Sequence, residues 1–315
     1  MNANCPLCHS GDIALITNRL RFGKTADVYS CKSCSLVFLD QNSFSFPKNF
    51  YEVDYHQTYL THVDPDMLDP QKHFEKMLGA SKFWINKIRG LLRGNEDVLD
   101  VGCSTGHVMM GIKDAAKNVF GSELSKKEVE YCSVILGMNV SDAPLRERFS
   151  SQRFDLITLV FVLEHIGDPI TFLKELKSYL KPGGSLAIVA PNIMDPLVSL
   201  YAIPEFLQFY FCIEHLYYYS PKTLQLVLDM AGYEGVVESI QEYPIGNHLN
   251  WAYRHKPSET LAARTILPNI ELSPGADDAK WTIFWGDINE QYKNYLSSQG
   301  YGDRIWAVAK VKNDN

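Results

Sequence analysis

The stretch Asp97-Val98-Leu99-Asp100-Val101-Gly102-Cys103-Ser104-Thr105-Gly106-His107 constrains the fold more than any other part of the chain. Its apolar run, Val98, Leu99 and Val101, ends in a turn of small residues. Val108, Met109 and Met110 then begin a helical pattern. Physically this is a buried strand, a tight turn and a helix. Gly102 lets the backbone turn, and Gly106 lets a ligand or the helix come close. The helix N-terminus offers free N–H groups to a polar or anionic group. The next apolar run, Asn118 to Ser122, ends in Glu123. That carboxylate lies about 20 residues past the turn, the spacing at which an acid meets the hydroxyl pair of a ribose in a βαβ unit. An α/β fold follows.

Further segments continue the order. Val140-Ser141-Asp142-Ala143 reads as the end of a third strand, with Asp142 either a ligand contact or a turn aspartate. Phe154 to Leu163 is a near-continuous apolar run, as a central parallel strand requires. It delivers Glu164 and His165 to the strand's C-terminal edge, where ligands bind in open α/β sheets. His165 there either holds the loop by hydrogen bonds or meets substrate. Asp168-Pro169 starts a helix with core face Ile170, Leu173, Leu176 and Leu180, and Lys181-Pro182-Gly183-Gly184 feeds the strand Ser185 to Ala190.

This series resembles the class I S-adenosylmethionine-dependent methyltransferases over roughly residues 96–240. The motifs are Asp100 to Gly106, Glu123, Phe154 to Ile157, Val162 to Pro169, Leu180 to Gly184 and Ala190-Pro191-Asn192. The family often has Gly where Ser104 stands. The resemblance implies a Rossmann-like seven-stranded sheet with helices on both faces. It also implies S-adenosylmethionine held by Asp100, Gly102, Ser104, Gly106, Glu123, Leu124, Asp142 and Val160.

Seven cysteines sharpen the organisation. Cys5-x2-Cys8 and Cys31-x2-Cys34 are two knuckles that together supply four thiolates, a tetrahedral structural zinc site. A segment this short has too little core to fold alone, so the metal supplies folding energy. Ile13 to Ile16 and Val28 to Ser30 are its ribbon strands, and His9 is a spare ligand. Cys103, Cys132 and Cys212 read as buried small hydrophobes. The expected organisation is a zinc ribbon at 1–45, a linker and helical lid at 46–95, and the methyltransferase domain at 96–315. Substrate-side insertions are expected near 195–235 and 245–303.

Within the linker, Tyr55, His56 and Tyr59 belong to an aromatic run that either packs or forms a lid. Phe74, Met77, Leu78, Trp84, Ile85, Ile88, Leu91 and Leu92 form one core stripe, and Gly94-Asn95 ends the helix. Ser125 with Glu128 reads as a capping box, with Val129, Ile135 and Leu136 as the buried face that follows. Residues Leu197 to Phe211 predict helices covering a pocket. Glu214-His215 then lies on a loop in an aromatic wall, entering the helix that starts at Ser220-Pro221; a carboxylate beside an imidazole is a proton-transfer pair. Val236 to Ser239 and Ile305 to Val311 are the last two strands, and the stretch between them is unassigned.

A net charge of −7 argues against a broad nucleic-acid surface. The segment Met1 to Pro6 lacks a basic and apolar leader, and no apolar run reaches the ~18 residues of a membrane span. These features set the expectation of a cytoplasmic protein. Together the Glu-His loop and the four-Cys module resemble bacterial methyltransferases of unusual-sugar and surface-glycan pathways, including some that methylate carbon of a nucleotide-linked keto-sugar. That resemblance makes His215 the base, with Glu214 beside it and His165 facing a small-molecule acceptor, a sugar or nucleotide sugar. Cys212 stands where that group commonly has Tyr, and its Ser-rich run is missing from residues 55–62. An RNA methyltransferase with a zinc ribbon and a catalytically silent binding module are the alternatives.

Overall fold

The computed structural model describes residues 3–45, 61–257 and 278–312. Tyr55, His56 and Tyr59 lie outside these residues. Eleven strands are described: β1 (Ile13–Arg19), β2 (Thr25–Cys31), β3 (Val37–Leu39), β4 (Asp97–Val101), β5 (Asn118–Ser122), β6 (Asn139–Ser141), β7 (Phe154–Val160), β8 (Leu180–Pro191), β9 (Tyr217–Tyr218), β10 (Tyr233–Ile240) and β11 (Arg304–Val311). They form a four-stranded sheet of order β1-β2-β3-β9 and a seven-stranded sheet of order β10-β11-β8-β7-β4-β5-β6.

In the large sheet β4 pairs in parallel with β5 on one side and with β7 on the other. The β5–β6 and β7–β8 pairs are parallel too. The order therefore reverses at β4, which opens a crevice beyond the C-terminal ends of β4 and β7. Strands buried on both faces need apolar side chains throughout. Val98, Leu99, Ile157, Leu159, Ile188 and Val189 are all fully buried, each stabilising the sheet by about 1.5–3 kcal/mol. At the opposite, N-terminal edge, Lys181 Nζ bridges Asp97 and Asp155 at 2.8 and 2.7 Å. Asp155 also accepts the Asp97 amide, so the Leu180-Lys181 segment locks the starts of three strands. All three side chains are partly exposed, so the gain is small.

Two compact units emerge. One comprises Met1–Ser43, Ala190–Gln225 and Val237–Trp306; the other comprises Phe44–Val189, Leu226–Val236 and Ala307–Asn315. No helix among the described residues is long and apolar enough to cross a membrane.

Several local expectations change. The stripe from Phe74 to Leu92 breaks at Ser81 into helices Pro70–Ala80 and Lys82–Arg89. Trp84, Ile85 and Ile88 are core, but Leu91 is exposed because the helix has already ended at Gly90. Ser125 precedes the helix Lys126–Glu130 without a side-chain cap, its amide donates to Glu123 Oε1 at 2.9 Å, and Glu128 is buried. Tyr131–Ile135 widens into a π-turn, and this change of phase leaves Ile135 68% exposed. The unassigned stretch holds helices Ile245–Arg254 and Asp278–Ser298.

Candidate active site

The turn after β4 is held in left-handed conformations at Gly102 (φ 70), Ser104 (φ 48) and Gly106 (φ 76). A Cβ at Gly102 would lie 2.6 Å from Val162, and one at Gly106 would lie 2.8 Å from Met138 Sδ. Glycine is therefore required at both positions by conformation and by space. Glu123, just past β5, faces this turn. The Ser104 amide donates to Glu123 Oε2 at 2.9 Å, and the amides of Leu124 and Ser125 donate to Oε1 at 2.7 and 2.9 Å. Three N–H groups fix the carboxylate at the mouth of the β4 crevice. Glu123 is half-buried.

Asp100, the last acid of β4, is buried and accepts from Thr158 Oγ1 at 2.6 Å. Burial pushes its carboxyl up to about 7; the Thr158 hydrogen bond opposes this and the charge of Glu123 adds to it. Leu124 is exposed, Val160 is half-buried at the end of β7, and Asp142 is exposed just after β6. The same compact unit therefore gathers Gly102, Ser104, Gly106 and Glu123 at one turn. Phe161, next after Val160, has φ 57, backbone strain of the kind found at binding sites. Glu164 and His165 follow on a single 3-10 turn, Glu164 buried and His165 half-buried.

In the other unit, Cys5, Cys8, Cys31 and Cys34 converge, with all four Sγ atoms within 4.8 Å of one another. The Cys5–Cys34 and Cys8–Cys31 separations are 3.6 and 3.5 Å. Four thiolates about 2.3 Å from one zinc ion stand about 3.8 Å apart, so the donor set fits zinc. The ribbon does more than close this cluster. Its strand β3 pairs antiparallel with β9, Val37 opposite Tyr218 and Phe38 opposite Tyr217. The Leu39 amide also donates to the Leu216 carbonyl at 2.9 Å. The Glu214-His215 turn leads directly into β9 and is pinned by the ribbon sheet.

Tyr218 closes the turn from below. Its Oη accepts from the Cys212 amide and donates to the Cys212 carbonyl, both at 2.9 Å. Its ring packs edge-on against Phe211 and lies 5.9 Å from the His215 ring. Glu214 is buried and His215 half-buried. Burial drives the Cys212 thiol up to about 12, so it stays protonated. The hairpin tip of the ribbon reaches the same region. Arg21 stacks over Phe209, and its amide donates to the Phe211 carbonyl at 2.7 Å.

Residues 75–239 match the family model described as "Methyltransferase domain". The chain belongs to that family. Residues 75–239 therefore form a methyltransferase domain. A ubiquinone biosynthesis O-methyltransferase of Bordetella avium is 28% identical over 43% of this chain and 59% of its own length. A tRNA U34 carboxymethyltransferase of Nautilia profundicola is 35% identical over 33% of this chain and 35% of its own length. The chain thus spans little more than half of the first relative and about a third of the second. A solved methyltransferase of Archaeoglobus fulgidus superposes with TM-score 0.49 at 18% identity, over 74% of this chain and 94% of that one.

Three residues around these two turns were not site candidates from the sequence. Tyr218 looked like one more aromatic, since its bond to Cys212 follows only from the closed turn. His73 and Glu128 form a buried pair beside the Gly turn, Nδ1 to Oε1 3.1 Å. Glu128 carried the signal of a helix cap instead, and His73 only that of a polar residue at a position that the helix buries.

Proposed function

We propose that this methyltransferase acts on a small polar acceptor, a sugar or nucleotide-linked sugar, with His215 as the general base. The observation that carries the reading is the Glu214-His215 turn, held between a tyrosine clasp and a four-cysteine ribbon sheet. When bound, S-adenosylmethionine supplies a methyl group on a positively charged sulfur, which leaves without further activation.

The chain's own residues do the rest. Glu123 takes the ribose hydroxyls of the donor, and the Gly102–Gly106 turn leaves room for its backbone-side approach. Leu124, Asp142 and Val160 would border the adenosine. His215 removes one proton from the acceptor oxygen or carbon, the atom that would take the methyl group. Glu214 stabilises the imidazolium so formed, and His165 holds an acceptor oxygen. The acidic balance of the chain and this Glu-His turn favour a small acceptor over RNA.

The test incubates the protein with methyl-labelled S-adenosylmethionine and three acceptor sets: nucleotide sugars, phenolic quinone precursors and tRNA. Label entering a nucleotide sugar, followed by mass spectrometry, is the expected outcome. Label in phenols or tRNA alone moves the assignment to the chemistry of the relatives.

The four thiols are proposed to hold structural zinc. Purified protein is expected to carry the metal by atomic emission. Chelation should remove a large folding contribution, of the order of 10 kcal/mol in small zinc modules. Turnover should then fall because β9 loses its partner strand. Metal-free protein with unchanged thermal stability contradicts this role.

A further inference from the structure

Ser104 has a left-handed backbone without being glycine, a strained conformation that persists only where its surroundings impose it. The surroundings do so from three sides. Its amide donates to Glu123 at 2.9 Å, and its carbonyl accepts from the buried Cys132 thiol at 3.4 Å. Its Oγ donates to Glu128 Oε1 at 3.3 Å. The same oxygen of Glu128 lies 3.1 Å from His73 Nδ1, and both side chains are nearly fully buried. His73 comes from the helix Pro70–Ala80, which precedes the sheet in the chain, and Glu128 from the helix Lys126–Glu130.

A buried carboxylate is expensive, and a helix-start glutamate has a cheaper place in water. Here it gives up the capping bond that the sequence pattern offers and accepts from Ser104 and the histidine instead. His107, one turn further along, is also buried, and burial pushes its ring down to about 4, so it stays neutral and brings no competing charge.

We infer that Glu128, oriented by His73, is a positioning residue for the donor site: it clamps the Ser104 hydroxyl and thereby holds the Ser104 amide against Glu123. Glu128 itself need not touch the donor. The clamp sets the place of the carboxylate that does, and so rests on the reading of Glu123 as the ribose ligand. His73 brings a helix from outside the β4–β5 unit into the same device, so ordering of that helix and ordering of the turn are coupled.

The test measures S-adenosylhomocysteine affinity by calorimetry and amide hydrogen exchange at residues 103–106 in four proteins: wild type, Glu128→Ala, Ser104→Gly and the double variant. Glu128→Ala is expected to raise Kd about tenfold and to speed exchange at the turn. Ser104→Gly adopts the left-handed conformation without a hydroxyl to hold, so its own Kd and exchange rates are the reference for the second half of the cycle. In that background Glu128→Ala should change neither readout, because there is no hydroxyl left to hold. Equal effects of Glu128→Ala in both backgrounds overturn the clamp. If Glu128→Ala does not fold, His73→Leu replaces it in the same cycle, with a smaller effect of the same sign expected. If wild type fails to bind S-adenosylhomocysteine, the donor-site reading falls, and the exchange data alone still decide the clamp.

Discussion

Replacing His215 by alanine should lower kcat about 10²–10⁴-fold, the usual contribution of a positioned proton acceptor. Affinity for S-adenosylhomocysteine should stay nearly unchanged. The reason is placement: His215 lies on the turn before β9, whereas the residues assigned to the donor lie at the ends of β4, β5, β6 and β7. The side chain is half-buried and packs against Tyr218, so some loss of stability is also expected, and thermal unfolding measured alongside separates it from lost chemistry. A pH–rate profile adds a second check. Wild-type turnover should fall as pH drops and the ring becomes protonated, and the variant should lose that limb. Glu214→Gln should lie between the two, because the imidazolium then forms without a carboxylate beside it. Turnover retained in His215→Ala would remove the histidine from the mechanism.

Replacing Glu123 by alanine should weaken S-adenosylhomocysteine binding by about 100-fold or more. Two hydroxyls donating to one carboxylate are charge-assisted bonds, each worth about 1.5–3 kcal/mol. The variant also strands three backbone N–H groups, those of Ser104, Leu124 and Ser125. Part of the loss is therefore a loosened turn. Glu123→Gln keeps an acceptor for these amides while losing the charge, so it should restore thermal stability more fully than affinity. Equal affinities for wild type and alanine variant, measured by calorimetry, would move the ribose elsewhere.

The central half of the chain was legible because its signals are local. Apolar runs such as Phe154 to Leu163 can satisfy only a strand buried on both faces, and Gly102 and Gly106 stand where left-handed backbone and a missing Cβ are both needed. Spacing alone put Glu123 beside that turn, where it accepts from the Ser104 amide. The four cysteines were legible for the same reason, since two tight knuckles announce a ligand set wherever the fold takes them.

The rest depended on contacts between distant segments. Strand β9 has only two residues, Tyr217 and Tyr218, and no periodicity can announce it; it exists because β3 offers an edge. The Ser125–Glu128 pattern pointed to a cap, yet Ser104 and His73 offered the carboxylate better partners inside. Ile135 followed helical phase until the turn at Tyr131 widened. Helices Ile245–Arg254 and Asp278–Ser298 carry polar residues such as Asn247, His248, Asn250 and Asn289 in buried positions, which breaks the amphipathic signature a sequence reading relies on.

The most direct measurement is a crystal structure of the protein soaked with S-adenosylhomocysteine. The account requires density across the C-terminal ends of β4 and β5, with both ribose hydroxyls within hydrogen-bond reach of Glu123. An empty crevice at saturating ligand, or the nucleoside bound away from Glu123, would contradict it.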